Sequence, residues 1–182
     1  MRVIAGTARS LPLKTPEGMD TRPTTDRIKE TLFNILQTRI PECVFVDMFS
    51  GSGGIGIEAL SRGARKAYFM ENAPKSIACI QENLEFTKFT DRAVLIRQDV
   101  CAGLTSIFEK TVDIIFMDPP YDQEQERRVL EGLAGMKYVD EDTLIVVEAS
   151  LGTDFSYLPG LGFVLEREKK YKTNKHVFIK RG

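Results

Sequence analysis

The chain has 182 residues, of which 42% are hydrophobic and 28% charged, a balance that suits one globular domain with a short appendage. Its apolar runs are far shorter than the roughly 20 residues that a membrane span needs, and its first residues lack the apolar stretch of a secretory signal. Cys43, Cys79 and Cys101 are odd in number and show no CxxC spacing. We therefore expect a cytoplasmic protein without a disulfide framework, a metal site or a membrane span.

The net charge of −1 hides an uneven distribution. Residues 165–182 carry seven Lys/Arg and two Asp/Glu, whereas residues 31–164 carry twelve and twenty. A basic end beside an acidic body predicts a polyanionic partner at that end. An edge strand protected by lysines would give the same pattern, and charge alone favours this second interpretation.

The first part of the chain is predicted to be irregular or hairpin-like over residues 1–23, where glycines and prolines are frequent. A helix should begin near Thr24–Asp26, since hydroxyl and carboxylate side chains there can cap free N–H groups, and Pro41 closes it. Strand-like and helix-like runs then alternate. The predicted strands are Val44–Met48, Lys66–Met70, Ala93–Arg97, Val112–Met117, Thr143–Glu148, Phe163–Glu168 and His176–Lys180. The predicted helices are Gly54–Ser61, Pro74–Phe86, Leu104–Glu109 and Glu124–Met136.

This alternation with short links predicts an α/β fold with a mostly parallel seven-stranded sheet that is covered on both faces. The last two strands are joined by a polar turn and can pair as an antiparallel hairpin. That arrangement is typical of class I S-adenosylmethionine-dependent methyltransferases, a variant of the doubly wound fold. We divide the chain into an N-terminal extension on the substrate side (residues 1–25) and a methyltransferase domain (residues 26–182).

A glycine-rich loop follows the first core strand. Gly51, Gly53 and Gly56 fit the pattern G-x-G-x-x-G, which permits a tight turn and close approach of a ligand at the carboxyl end of the strands. The spacing alone does not choose the ligand, because dinucleotides use the same pattern. Asp47, just before the loop, suits the ammonium of S-adenosylmethionine and would repel a pyrophosphate, so it favours S-adenosylmethionine. The candidate cofactor residues of this loop are Asp47, Phe49, Ser50, Gly51, Ser52, Gly53 and Gly56.

Acidic residues also end the next two strands. Glu71, followed by Asn72, can accept hydrogen bonds from ribose hydroxyls in either ligand class. Asp99 can accept from an adenine amino group, while Val100 offers its backbone N–H to the ring. A helix N-cap is an equally good interpretation of Asp99 on its own.

The tetrapeptide Asp118–Tyr121 closes the fourth strand beside the predicted cofactor crevice. Asp118 and a proline carbonyl can accept the two N–H bonds of an aromatic amine and oppose the positive charge that develops during methyl transfer. The fixed φ angles of Pro119 and Pro120 hold that carbonyl, and Tyr121 offers a ring on which a flipped base can stack. We expect Asp118 to keep a pKa near its reference of about 4 and to be ionised. A strand that is simply stopped by two prolines would leave the carboxylate and the ring unexplained.

Asp118–Tyr121, Phe49–Gly56 and Arg22–Asn34 together resemble the bacterial 16S ribosomal RNA guanine-N2 methyltransferases of the RsmD family. The resemblance extends over essentially the whole chain, and Arg22–Asn34 is its most specific part. It implies a class I fold, S-adenosylmethionine as donor and methylation of one guanine amino group. It also implies that the RNA is presented within a partly or fully assembled small ribosomal subunit. We expect the protein itself to be a monomer.

An RNA substrate makes the basic residues of both ends candidates for substrate contacts. The basic candidates are Arg22 near the N-terminus and Lys170, Lys172 and Lys175 in the terminal hairpin, and the polar Thr24 is a further candidate beside Arg22. His176 lies in a strand-like run, so we predict a structural role for it.

Three other functions remain open. A DNA adenine-N6 methyltransferase can use the same tetrapeptide, but its usual target-recognition segment is missing here. A nicotinamide-dependent oxidoreductase would use the glycine loop and leave Asp118–Tyr121 unexplained. A non-catalytic RNA-binding assembly factor would have no need for an intact Asp118.

Overall fold

The computed structural model describes residues 1–18 and 25–182. Over these residues, seven strands form one sheet, as the alternating sequence pattern predicts. The strands are β1 (Val44–Met48), β2 (Lys66–Met70), β3 (Ala93–Ile96), β4 (Ile114–Met117), β5 (Leu144–Ser150), β6 (Phe163–Lys170) and β7 (Asn174–Arg181). Each predicted strand is therefore confirmed to within a few residues at its ends.

The strand order is β3-β2-β1-β4-β5-β7-β6. Strands β1 to β5 are mutually parallel, whereas β7 is antiparallel to both β5 and β6. This confirms the class I methyltransferase fold and its C-terminal antiparallel hairpin. The chain order reverses between β1 and β4, and ligands of such sheets bind outside the carboxyl ends of the strands at that point.

The described residues also form five α-helices, of which the first precedes β1 and the others lie between strands: α1 (Asp26–Leu36), α2 (Gly54–Ser61), α3 (Pro74–Thr87), α4 (Val100–Gly103) and α5 (Gln125–Ala134). The predicted cap at Thr25 is confirmed, since its side chain accepts a hydrogen bond from the Ile28 N–H. The helix predicted over Leu104–Glu109 is misplaced. It begins at Val100 instead, because Asp99 caps it there, and only a 3-10 turn continues over Leu104–Ser106.

The two faces of the sheet carry separate apolar clusters. On the first face, Phe45, Phe69 and Phe116 pack against α1, α2 and α3. On the second face, Val46, Met117 and Val147 pack against α4 and α5. Because side chains alternate along a strand, each strand position belongs to one face, and this assigns every polar residue near the site to a face.

The N-terminal segment packs on the first face. Val3, Ala8 and Leu13 are buried in the same cluster as the α1 side chains, and Arg2 and Pro12 form an antiparallel bridge. The boundary that we predict between residues 25 and 26 stays a prediction, although the described part of the extension shares the core of the larger domain.

Glu58 of α2 anchors this segment. Its carboxylate accepts hydrogen bonds from the backbone N–H groups of Ile4 and Ala5 at 2.9 and 3.0 Å. It also pairs with Lys29 at 3.3 Å and with Arg62 at 2.9 Å, and its side chain is fully buried. A buried carboxylate with two cations and two N–H donors satisfies the condition under which burying a charge is tolerated. Within the described residues, no helix is both long and apolar enough to cross a membrane.

Candidate functional site

The glycine loop between β1 and α2 has the backbone that its sequence predicts. Gly51 and Gly53 adopt positive φ angles of 56° and 80°, and Gly53 is the N-cap of α2. Gly56 lies against the ring of Phe69, which a Cβ atom would strike. Phe49, at the start of the loop, also has a positive φ of 58° and is partly exposed.

The N–H groups of the three motif glycines are already engaged within the protein. Gly51 donates to Glu71 Oε2 at 2.9 Å, Gly53 to the Ser50 carbonyl at 2.7 Å, and Gly56 to Asp47 Oδ2 at 2.9 Å. A pyrophosphate at this helix end would need such donors, and it would meet two carboxylates. The loop therefore disfavours a dinucleotide and is compatible with a ligand that carries cationic groups and hydroxyls.

The two loop serines have structural partners. The Ser50 hydroxyl donates to the Asp47 carbonyl at 2.6 Å and accepts from the Met70 N–H at 2.9 Å, so it joins the ends of β1 and β2. Ser52 is buried, and its hydroxyl lies 3.3 Å from the sulfur of Met1. Both hydroxyls thus have partners within the protein, and the predicted contacts of Ser50 and Ser52 with a cofactor stay predictions.

Asp47 is buried, with 2% of its surface exposed. Burial raises its pKa to about 8, and the nearby charge of Glu71 acts in the same direction, whereas the Gly56 N–H opposes the shift. This carboxyl orders the loop through Gly56, and its contact with the ammonium of a cofactor stays a prediction.

Glu71 directly follows β2 as predicted, whereas Asp99 lies three residues after the end of β3. Glu71 Oε1 accepts from the N–H groups of Asn72 at 2.9 Å and Ala73 at 3.0 Å, so Glu71 also organises its own loop. Asp99 caps α4 through Oδ1, which confirms the capping interpretation. The capping bonds use one oxygen of an exposed carboxylate, so the other can still accept from a ligand. Val100 is the first residue of α4, where backbone N–H groups have no partner within the helix.

Asp118 follows β4 at the carboxyl edge of the sheet. Phe116 pairs with Asp47 on β1 and with Val146 on β5, so Asp118 shares the first face with Asp47 and with Glu148. The prediction that Asp118 keeps its reference pKa is wrong. Burial raises its pKa well above the usual value, and the charges of Glu148 and Asp47 raise it further.

The rest of the tetrapeptide divides between core and surface. Pro119 is buried, Pro120 is exposed and Tyr121 is partly buried. The Tyr121 hydroxyl donates to Glu148 Oε1 at 3.4 Å, so this end of the ring points toward the interior. Burial and the negative charges of Glu148 and Asp118 raise the pKa of Tyr121.

Glu148, which was not among the predicted site residues, is the centre of a buried polar cluster next to Asp118. It accepts from Asn174 Nδ2 at 2.7 Å, and its Oε2 lies 3.0 Å from Nε2 of His176. His176 is fully buried with Nδ1 3.2 Å from the Tyr171 hydroxyl, which supports its predicted structural role. The signal that could have found Glu148 is the one that identified Asp47: an acid near the carboxyl end of an apolar strand.

The substrate candidates in the terminal hairpin differ in exposure. Lys170 and Lys172 are exposed, and the Lys170 ammonium lies 3.7 Å from Glu168. Lys175 is buried, lies 3.4 Å from Glu168 and packs over the Phe155 ring, so this geometry does not support a phosphate contact through its ammonium. Arg22 and Thr24 lie outside the described residues. In the part of the chain that is described, no three His, Cys, Asp or Glu side chains are grouped as a metal site would require.

Comparisons with known proteins agree on one family. The family model described as Conserved hypothetical protein 95 matches residues 1–180. YlbH of Bacillus subtilis (strain 168), whose name describes it provisionally as an rRNA methyltransferase, is 34% identical over 185 residues that cover 100% of both chains. A Haemophilus influenzae protein named ribosomal RNA small subunit methyltransferase D is 36% identical over 152 residues, 81% of this chain and 78% of that protein.

Solved structures support the same relationship. The structure of yhhF from Escherichia coli superposes with a TM-score of 0.86 at 31% sequence identity, and the match covers 100% of this chain and 97% of that one. Fold, sequence motifs and family model thus agree over nearly the full length. The chain belongs to the family described as Conserved hypothetical protein 95, which is the RsmD family that its motifs resemble.

Proposed function

We propose that this protein transfers a methyl group from S-adenosylmethionine to the exocyclic N2 amine of a guanine in 16S ribosomal RNA. The observation that carries the proposal is the position of Asp118. This carboxyl lies at the carboxyl edge of β4, beside the glycine loop of β1, and it faces the same side of the sheet as Asp47. An acceptor for an amine and a cofactor loop therefore share one crevice at the point where the strand order reverses.

The residues at the strand ends fit S-adenosylmethionine by their chemistry. Asp47 would hold the ammonium, Glu71 the ribose hydroxyls, and the second oxygen of Asp99 the adenine amine, with the Val100 N–H toward the ring. The engaged N–H groups of the motif glycines disfavour the nicotinamide alternative. When bound, the cofactor supplies a methyl group that its sulfonium already activates.

Asp118 and the carbonyl of Pro119 would accept the two N–H bonds of the target amine and hold its nitrogen in line with that methyl. A methylated amine would carry a positive charge and would have to lose a proton, for which Asp118 would be the acceptor. The raised pKa of Asp118 makes its ionised form a better proton acceptor than an exposed carboxylate. A positive charge bound at the β1 loop would favour that ionised form.

The RNA substrate is supported by the names of the relatives, which refer to rRNA and to the small subunit. We propose that exposed Lys170 and Lys172, together with Arg22 and Thr24, contact this RNA. We propose that the shape of a loop presented by a partly or fully assembled subunit selects the target. A monomeric state and a cytoplasmic location stay predictions.

The test is transfer of a labelled methyl group to small-subunit particles from cells that lack the enzyme, followed by mass spectrometry of the nucleosides. We expect N2-methylguanosine with the wild-type protein and none above background with Asp118→Ala. Asp118→Asn is the matched variant, since it keeps the volume and removes the negative charge. Methylated adenosine in DNA with no product in RNA would contradict the proposal and support the DNA methyltransferase. Equal RNA binding with no transfer to either substrate would support a non-catalytic assembly factor.

A further inference from the structure

The polar cluster around Glu148 contains an acceptor with no partner. Asn174, the first residue of β7, is buried with 5% of its surface exposed, and its Oδ1 atom makes no hydrogen bond to any described residue. Buried amide oxygens are rarely left unpaired, because an oxygen that loses its hydrogen bond to water and gains no other lowers the stability of the folded protein. This atom therefore calls for a donor that the described chain does not supply.

The orientation of the Asn174 amide is fixed by its neighbour. The Nδ2 group donates to Glu148 Oε1 at 2.7 Å, and the opposite orientation would bring Oδ1 against a carboxylate. The Tyr121 hydroxyl donates to the same Glu148 oxygen at 3.4 Å. The unpaired oxygen thus belongs to an amide that shares an acceptor, Glu148 Oε1, with the tyrosine of the Asp118–Tyr121 motif.

Strand register brings this amide toward the proposed reacting groups. Glu148 and Asp118 each come one residue after the paired residues Val147 and Met117 of neighbouring strands. Glu148 also pairs with His176 of β7, whose ring meets Phe116 edge to face. The acceptors Asp118, Glu148 and Asn174 therefore project from the same face at the same edge of the sheet. A base whose amine reaches Asp118 has two orientations. The ring nitrogen next to the amine faces Asn174 in one of them and faces away from Asn174 in the other.

Guanine and adenine differ at that ring nitrogen. Guanine carries a hydrogen on N1 next to its amine, whereas the N1 of adenine is an acceptor. A row of acceptors suits the former and opposes the latter. We propose that Asn174 Oδ1 accepts the N1–H of the target guanine and so makes this residue specificity-determining. This inference rests on the proposed function and names the group that would select the base.

The decisive probe is 2-aminopurine at the target position of small subunits reconstituted with substituted RNA. This base keeps the 2-amino group, but its N1 is an acceptor and it lacks the 6-oxygen. We expect the wild-type protein to methylate guanine at least about tenfold faster than 2-aminopurine, a factor in the range of one hydrogen bond gained and one repulsion avoided. In Asn174→Ala, the ratio should fall about fivefold or more.

The ratio is informative because a purely structural defect lowers both rates together. Loss of the 6-oxygen also affects both proteins equally, so the change in ratio reports on Asn174 itself. Asn174→Ser, which keeps a small polar group, is the second variant if Asn174→Ala does not fold, and it should lower the ratio in the same direction. Exposed Thr173→Ala is the matched control and should leave the ratio unchanged.

The outcomes separate this inference from the proposed function. One outcome is that the wild-type protein methylates guanine while both Asn174 variants keep the wild-type ratio of the guanine rate to the 2-aminopurine rate. In that case Asn174 has only a structural role and the inference is overturned. Equal wild-type rates on the two bases would also overturn it. Absence of any transfer to guanine by the wild-type protein would overturn the proposed function and this inference with it.

Discussion

Replacing Asp47 with asparagine should stabilise the protein at neutral and alkaline pH and leave it unchanged in acid. The carboxyl is buried and has one hydrogen-bond donor, Gly56 N–H, which an asparagine oxygen can also use. Its pKa rises from 3.8 to about 8 on folding. The folded state therefore binds a proton more tightly than the unfolded state between these two values. The stability that this proton contributes is present below pH 4 and is lost as the pH rises toward 8.

One pKa unit corresponds to about 1.4 kcal/mol, so a shift of this size would cost the wild-type protein up to about 5 kcal/mol at pH 8. We expect Asp47→Asn to have the higher free energy of unfolding by at least ~2 kcal/mol at pH 8. At pH 4 the two proteins should agree within ~0.5 kcal/mol. Urea unfolding monitored by circular dichroism at pH 4, 5, 6, 7 and 8 measures the difference directly.

The matched control is Asp91→Asn, an exposed aspartate, for which the difference from wild type should stay small at every pH. Parallel curves for wild type and Asp47→Asn across this range would refute the reasoning. They would mean that water or a cation already compensates the Asp47 charge in the free protein.

Three further predictions concern the anchor, the loop and the hairpin. Glu58→Gln leaves Lys29 and Arg62 partly unpaired, so we expect a loss of about 3 kcal/mol in urea unfolding; a loss below ~1 kcal/mol would contradict this. Gly56→Ala forces a Cβ atom against the ring of Phe69, so calorimetry should detect at least tenfold weaker binding of S-adenosylmethionine. Unchanged affinity would mean that cofactor binding does not depend on the close contact between Gly56 and Phe69. Lys170→Ala with Lys172→Ala should lower the slope of log affinity for the subunit against log salt by about one for each lysine that meets a phosphate. An unchanged slope would remove both lysines from the RNA interface.

The control for the hairpin variants comes from the opposite edge of the sheet. Lys110 and Lys137 are exposed and lie in the segments that precede β4 and β5, at the amino ends of the parallel strands. Their replacement by alanine removes the same number of charges from the protein. We expect the salt dependence of subunit binding to stay that of wild type, because the proposed RNA contacts lie at the carboxyl edge.

The strands and most helices were predictable because their residue patterns are local. The apolar run Val44–Met48 and the glycines that follow it identify a strand, a turn and a helix without reference to the rest of the chain. The start of α4 was predicted wrongly, at Leu104 instead of Val100, because the sequence left Asp99 open as a cap or as a ligand. The structure confirms the cap and leaves one oxygen for the other role.

The partners of the site residues were not predictable, because they come from distant parts of the chain. Glu148 and Asn174 lie 26 residues apart and meet only through the antiparallel pairing of β5 with β7. The buried state of Lys175 depends on Glu168 and Phe155 in the same way. The raised pKa of Asp118 has the same origin, since its causes are burial and two carboxylates on neighbouring strands.

Three carboxyl groups, Asp47, Asp118 and Glu148, share one face and one edge of the sheet, and the charges of Asp47 and Glu148 both raise the pKa of Asp118. Such an arrangement opposes ionisation of the carboxyls in the free protein. Their ionised forms would therefore lower the stability of the protein unless a cation were bound beside them. Methyl transfer from a sulfonium to an amine brings a positive charge to this edge and moves it onto the target nitrogen. The negative charge that is unfavourable in the free site would therefore stabilise the positive charge on the target nitrogen. This supports treating the three acids as one functional unit.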